Sequence, residues 1–322
     1  MTEPPIAAAG AAAAAAAWPA LPYAEWAETC QTLHRWTQIV GKTRLALEPM
    51  LNHWWQVALY VSARGLTTSA MPCSGGRLAE IEFDLLAHEL AIRVSDGGRR
   101  TLPLAPRSVA EFLAEYRRAL AELDVEAHIW PVPVEIPGDA LPFAEDTIHA
   151  AYDGAAAQRF WRVLVQADRV FKVFRGRFLG KASPVHFFWG SFDLAASRFS
   201  GRPAPPHPGG VPHVADSVMR EGYSHEVSSA GFWPGSPQSP QAMFYAYAYP
   251  TPPGFGAAPV RPQGAFWNAE MGEFLLPYDV LRAAPDPEAA LLDFLQSTYE
   301  AAADLAHWDR PALERASPSG IG

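Results

Sequence analysis

Apolar positions at helical spacing mark four long segments of this chain. Over 23–40, Trp26, Cys30, Leu33, Thr37 and Val40 fall at steps of four and three and share one face. A second stripe over 108–123 carries Val109, Phe112, Leu113, Tyr116 and Leu120. A third over 156–179 carries Phe160, Leu164, Ala167, Phe171, Phe174 and Phe178, and a fourth over 287–307 carries Leu291, Leu292, Leu295, Tyr299 and Leu305. Between the first two helices the pattern switches to strands. Trp54–Val61 is aromatic and β-branched, and Thr67–Ala70 follows a turn at Arg64-Gly65. Glu80, Glu82 and Asp84 alternate with Ile81, Phe83 and Leu85, and Glu89–Val94 pairs with them before a turn at Asp96-Gly97-Gly98. Between the last two helices, Val185–Phe199 reads as one strand with Gly190 as a bulge, followed by Ala242–Tyr249 and Phe274–Leu276. Residues 203–262 hold 13 of the 31 prolines, which argues against helix or central strand there, Ala242–Tyr249 excepted.

The two halves resemble each other. Two of the three lysines follow glycine at a helix end, Gly41-Lys42 and Gly180-Lys181. Each precedes a His-aromatic-aromatic triplet, His53-Trp54-Trp55 and His186-Phe187-Phe188, and later Leu102-Pro103 and Leu276-Pro277 each lead into a helix. The expected fold is α+β. Two fused helix–antiparallel strands–helix units form one domain as a pseudo-twofold repeat, with Lys42 matching Lys181 and His53 matching His186. The expected boundaries are an Ala-rich disordered tail over 1–19, a first unit over 20–140, a second over 141–310 and a tail over 311–322. The second unit carries a Pro-rich insertion over 200–268 that caps its sheet; insertions of that length are uncommon without a function.

Composition narrows the function classes. The chain has 322 residues, is 49% hydrophobic and carries a formal net charge of −9, which excludes a disordered chain and argues against general nucleic-acid binding. The Ala run over 6–18 lacks a basic flank and is too short for a membrane span, so neither a secretory leader nor a membrane anchor is expected. Two cysteines, Cys30 and Cys73, exclude a disulfide scaffold and fit a reducing, cytoplasmic setting.

Four stretches resemble a known family: NHWW at 52–55, SPVHFFWGSFDLAASRFSGR at 183–202, YSHEVSSAGFWPG at 223–235 and EFLLPYD at 273–279. They are similar to the bacterial family catalogued as domain of unknown function 5996. The resemblance spans nearly the whole chain after the Ala-rich tail. It implies no assigned reaction and carries over no catalytic residues.

The richest candidate chemistry is Glu221-Gly-Tyr-Ser-His-Glu226, in the Pro-rich region. His225 is the candidate acid/base, supported by Glu226, Glu221 and His186. His225, His186 and Glu226, with His207 or His213 nearby, are also the candidate ligands of a divalent metal, without diagnostic spacing. Arg198 and Arg202 are candidates to hold an anionic group. Asp193, Tyr223, Trp189 and Trp233 are the other candidate ligand contacts, although Asp193 and Arg198 read equally as a structural ion pair. Phe232, Tyr245, Tyr247, Tyr249, Phe266 and Trp267 join the two tryptophans as walls of an aromatic pocket or as one covered sheet face. No nucleophile elbow, P-loop or dinucleotide fingerprint occurs. The segment 159–181 is basic, with seven cations against Asp168, and reads as an anion site or as a solvated, internally paired face. The expected function is an enzyme acting on a small organic, in one form anionic, molecule through a His/Glu site, with or without a metal. The alternative is a non-catalytic small-ligand binder with an aromatic pocket.

Overall fold

The second half of the chain builds a six-stranded antiparallel sheet whose two faces have different fates. In the computed structural model, which describes residues 17–136, 138 and 141–315, this sheet is formed by β7 (His186–Phe188), β8 (Asp193–Pro203), β9 (His225–Trp233), β10 (Met243–Tyr249), β11 (Phe266–Asn268) and β12 (Glu273–Pro277). Its strand order is β11-β12-β10-β9-β8-β7. The first half builds another six-stranded antiparallel sheet from β1 (Tyr60–Val61), β2 (Gly65–Thr67), β3 (Met71–Cys73), β4 (Arg77–Asp84), β5 (Glu89–Val94) and β6 (Arg99–Pro103). There the order is β1-β2-β4-β5-β6, with β3 paired to β4. The fold is therefore α+β with antiparallel sheets.

Four long helices carry the stripes seen in the sequence: α1 (Ala27–Leu47), α2 (Val109–Ala121), α3 (Gly154–Gly176) and α6 (Pro287–Leu305). Three start at side-chain caps. Ser108 and Glu111 form a reciprocal capping box for α2, Asp153 caps α3, and Asp286 caps α6 with Pro287 in its first turn. Short helices α4 (Asp216–Gly222), α5 (Tyr278–Arg282) and α7 (Arg310–Leu313) complete the set. Helices α3 and α6 cover one face of the second sheet, where Phe171 meets Phe244 and Phe174 meets Tyr299. Trp18 packs on Phe244 and Tyr278 and is 2% exposed, so the expected tail over 1–19 overlaps the core; residues 1–16 lie outside the described residues, as do 316–322 of the expected C-terminal tail.

The two halves meet edge to edge. Leu59 and Phe187 exchange both backbone hydrogen bonds, at 2.8 and 2.7 Å. The Trp189 indole donates to the Val57 carbonyl at 2.7 Å. From α1, Gln38 donates to the Val134 carbonyl at 2.8 Å and accepts from the Val134 amide at 2.9 Å, which fixes the linker between the halves.

Three expectations change. Val185–Phe199 is a hairpin rather than one bulged strand: Trp189–Phe192 turn between β7 and β8, and Phe192 N donates to Phe188 O at 2.8 Å. Trp54–Val61 is mostly a 3₁₀ turn over Asn52–Val57, with left-handed backbone at His53 (φ 59°) and Trp54 (φ 61°). The region 200–268 is not a simple cap. Residues 225–233 lack proline and form β9, a central strand between β8 and β10, while 216–222 form α4. The stretch before β9 lies over the sheet as a cover.

Candidate functional site

Strand alternation fixes which side chains share a face. On the face of the second sheet turned away from α3 and α6, β8 presents Asp193, Ala195, Ser197 and Phe199. Strand β9 presents Val227, Ser229 and Trp233, β10 presents Met243, Tyr245 and Tyr247, and β12 presents Glu273 and Leu275. These residues floor a cavity of about 600 Å³. Its roof comes from three places: the 3₁₀ turn (His53, Trp54, Trp55), Glu135 of the linker, and the segment before β9 (Val211, Val214, Val218, Met219, Tyr223). Among the described residues no lysine or arginine lines it.

One end of the floor is acidic and phenolic. Asp193 accepts from both the Ser191 and Tyr245 hydroxyls. Tyr245 reaches across β9 because position 231 is glycine; a Cβ there would collide with the Tyr245 hydroxyl and the Leu194 carbonyl. The Tyr223 and Tyr247 hydroxyls lie 2.8 Å apart. Burial holds the Asp193 carboxyl above its ordinary range, against the lowering effect of its Ser191 and Tyr245 hydrogen bonds. Glu135 and Glu273 have no hydrogen-bond partner among the described residues. Burial, followed by the Asp193 charge, pushes each up to about 7. Burial likewise raises the Tyr223 and Tyr245 phenols.

The other end is the His53 turn. Lys181 Nζ donates to His53 Nε2 at 2.7 Å, so Nδ1 carries the proton and donates to the Gly222 carbonyl at 3.0 Å. Burial first, then the neighbouring Lys181 and His225, hold His53 below its ordinary range and keep it neutral. His53, Trp54 and Glu135 (φ 59°) all line the cavity on left-handed backbone, a conformation that is costly for residues other than glycine and gathers at functional sites.

The structure divides the residues expected from sequence. Asp193, Tyr223 and Trp233 line the cavity, with Tyr245, Tyr247 and Phe266. Trp189 instead packs in the junction core, with Lys42 Nζ 5.6 Å from its ring centre. Arg198 takes the opposite face of β8 from Asp193, five residues away, so the two form no ion pair. The Arg198 guanidinium sits buried over the Phe174 and Tyr299 rings, at 3.4 and 4.3 Å from their centres. Arg202 pairs with Glu226 at 2.6 Å beside the Ser200 hydroxyl, which occupies that carboxylate at the far end of β8. His186 is fully buried against Trp55 and Phe188, with neither ring nitrogen partnered. It pairs with Ala195 at the start of β8, whereas His225 pairs with Pro203 at its end. His225, His186 and Glu226 therefore do not converge, and no group of three or more His, Cys, Asp or Glu among the described residues is placed to hold a metal ion. Glu221 lies in α4 and lines no part of the cavity; His207 stacks on Tyr223, 4.7 Å between ring centres, and His213 is exposed. The basic stretch is partly neutralised, Arg169 by Glu288 and Lys172 by Asp168. No helix among the described residues is long and apolar enough to cross a membrane.

His53, Glu135 and Glu273 are absent from the set expected from sequence. Glu273 had a local signal, since it alternates with Leu275 at the head of a strand. Glu135 had none, because only the tertiary path of the linker brings it over Gly190 and beside Asp193.

A family model matches residues 18–315. The chain belongs to the family of unknown function DUF5996. The match takes in the cavity, its roof and the helices behind it. Among curated proteins and among solved structures, none matches the chain.

Proposed function

We propose that this member of DUF5996 binds a small organic molecule in the cavity over the second sheet. The observation that carries the reading is a cavity of about 600 Å³ with aromatic and apolar walls, where two unpartnered carboxyls, Glu135 and Glu273, converge with Asp193 and three phenols at one end. Small-molecule sites commonly measure about 300–1,000 Å³ and combine apolar walls with a few placed polar groups. The test is a titration with the apolar dye N-phenyl-1-naphthylamine, followed by dye fluorescence, for the natural protein and for Val218→Trp, which fills the roof. Saturable binding near one dye per chain, weakened at least about tenfold in a folded Val218→Trp, supports the reading. No saturable binding, or equal binding by both, refutes it.

A second reading, an enzyme using acid–base chemistry, is favoured by Glu135 and Glu273 standing near 7, where a carboxyl exchanges protons at neutral pH. In this reading the acid and base come from Glu135, Glu273 and neutral His53, since His225, Glu226, Glu221 and His186 do not line the cavity. A cytoplasmic setting fits Cys30 and Cys73, both free thiols. The pseudo-twofold repeat is supported by reciprocal contacts at the junction. Lys42 lies over Trp189 as Lys181 lies over Trp55, and Leu59 and Phe187 bond to each other. A backbone superposition of 23–123 on 156–307 tests it, with Lys42 expected on Lys181 and His53 on His186; failure of either pairing would remove the repeat.

A further inference from the structure

The sign of the charge in this cavity is more specific than its size. We propose that the ligand is an organic cation, an ammonium or amidinium attached to an apolar body, with the cationic head among Asp193, Glu135 and Glu273. This rests on the binding reading above and deepens it.

Four observations point to a cation. Among the described residues the lining contains three carboxyl side chains and no lysine or arginine. Glu135 and Glu273 make no hydrogen bond within the described protein, although both line the cavity and Glu135 is largely enclosed by protein, packed against Gly190. Unpartnered carboxyls among apolar and phenolic walls favour a positive partner, and a multi-donor cation is the group that satisfies them. The remaining polar groups at that end, Tyr223, Tyr245 and Tyr247, are phenols whose rings and oxygens also favour a cation. Among the described residues no group of three or more His, Cys, Asp or Glu is placed to hold a metal ion, whereas a polyatomic cationic head is met by carboxyls at wider spacing. Trp54, Trp55 and Phe199 wall the opposite end, which leaves room for an apolar body running along the sheet.

The arrangement also sets a proton linkage. The titratable groups facing the head are Asp193 from β8, Glu273 from β12, Glu135 from the linker, Tyr245 and Tyr247 from β10 and Tyr223 before β9; His53 faces the cavity from the opposite end, with Lys181 bonded to it behind the Trp55 and Phe199 rings. Of these, Glu135 and Glu273 change charge near neutrality. A cation favours their ionised forms, so its binding releases protons and tightens as pH rises from 6 to 8, by up to about tenfold per unit for each proton released.

The test uses three probes of similar body and different charge: 2-phenylethylammonium, 2-phenylethanol and 3-phenylpropionate. Each is titrated calorimetrically into the full chain at pH 6 and pH 8, with Glu273→Gln and Glu135→Gln alongside. The expected result is ammonium binding at least about tenfold tighter than the alcohol, tighter at pH 8 than at pH 6, and weakened about tenfold in each folded variant. An alcohol that binds as well as the ammonium, or a carboxylate that binds better, overturns the cation inference and leaves the binding reading standing. Binding of none of the three at millimolar concentration overturns both.

Discussion

Glu273→Gln should make the protein more stable at pH 8 and leave it nearly unchanged at pH 4.5. The Glu273 carboxyl rises from an ordinary 4.5 to about 7 on folding, because burial and the Asp193 charge disfavour its ionised form. The folded state therefore binds more protons than the unfolded chain between those values. Stability from this group is complete below about pH 4.5 and is lost as pH rises through 7. A rise from 4.5 to about 7, at about 1.4 kcal/mol per tenfold change, sets an upper bound of about 3.5 kcal/mol on the loss. The cavity contains room for water, and the Asp193 carboxyl is itself held up, so roughly 1–3 kcal/mol is expected. Glutamine keeps the shape and never ionises, so the variant escapes the loss. Urea unfolding of both proteins at pH 4.5, 6 and 8 measures it, with the gap opening as pH rises. A variant no more stable than the natural protein at pH 8, with unchanged denaturant slope, would refute the placement of an unpaired carboxyl there.

Gly231→Ala drives a methyl group into the Tyr245 hydroxyl and the Leu194 carbonyl, so unfolding should become easier by about 1–3 kcal/mol; unchanged denaturant unfolding would show that the crossing is not tight. Tyr245→Phe removes one donor to buried Asp193 and should cost about 1–3 kcal/mol at pH 7 by the same assay, an undiminished stability counting against the bond. Arg198→Ala should cost about 2–5 kcal/mol through lost packing on Phe174 and Tyr299, while leaving probe affinity in the cavity unaltered; a folded variant that loses the probe would return Arg198 to the binding site.

Much of the framework is legible in the sequence because it rests on local periodicity. The stripes over 108–123, 156–179 and 287–307 are helices within a few residues of their expected ends, and Glu89–Val94 is a strand as read. The N-terminal stripe extends further than read, to Leu47, since α1 buries polar residues such as Gln38 and Lys42 that periodicity counts as solvent-facing. Proline density masks β9, because 203–262 is proline-rich as a whole while residues 225–233 contain none. Treated as a loop, Tyr223–Glu226 offers four neighbouring functional groups; as the start of a strand it sends His225 and Glu226 to opposite faces. Asp193, Tyr223 and Trp233, candidate ligand contacts from the sequence, line the cavity. Glu135 and His53 depend on the folding of distant segments over the sheet, which no single-sequence pattern records.

The most direct measurement of the central claim is a crystal structure of the full chain soaked with 2-phenylethylammonium. Density for the ring against the wall formed by Trp54, Trp55 and Phe199, with the ammonium among Asp193, Glu135 and Glu273, is the predicted result. A cavity filled by its own side chains, or a probe bound only elsewhere on the surface, would contradict it.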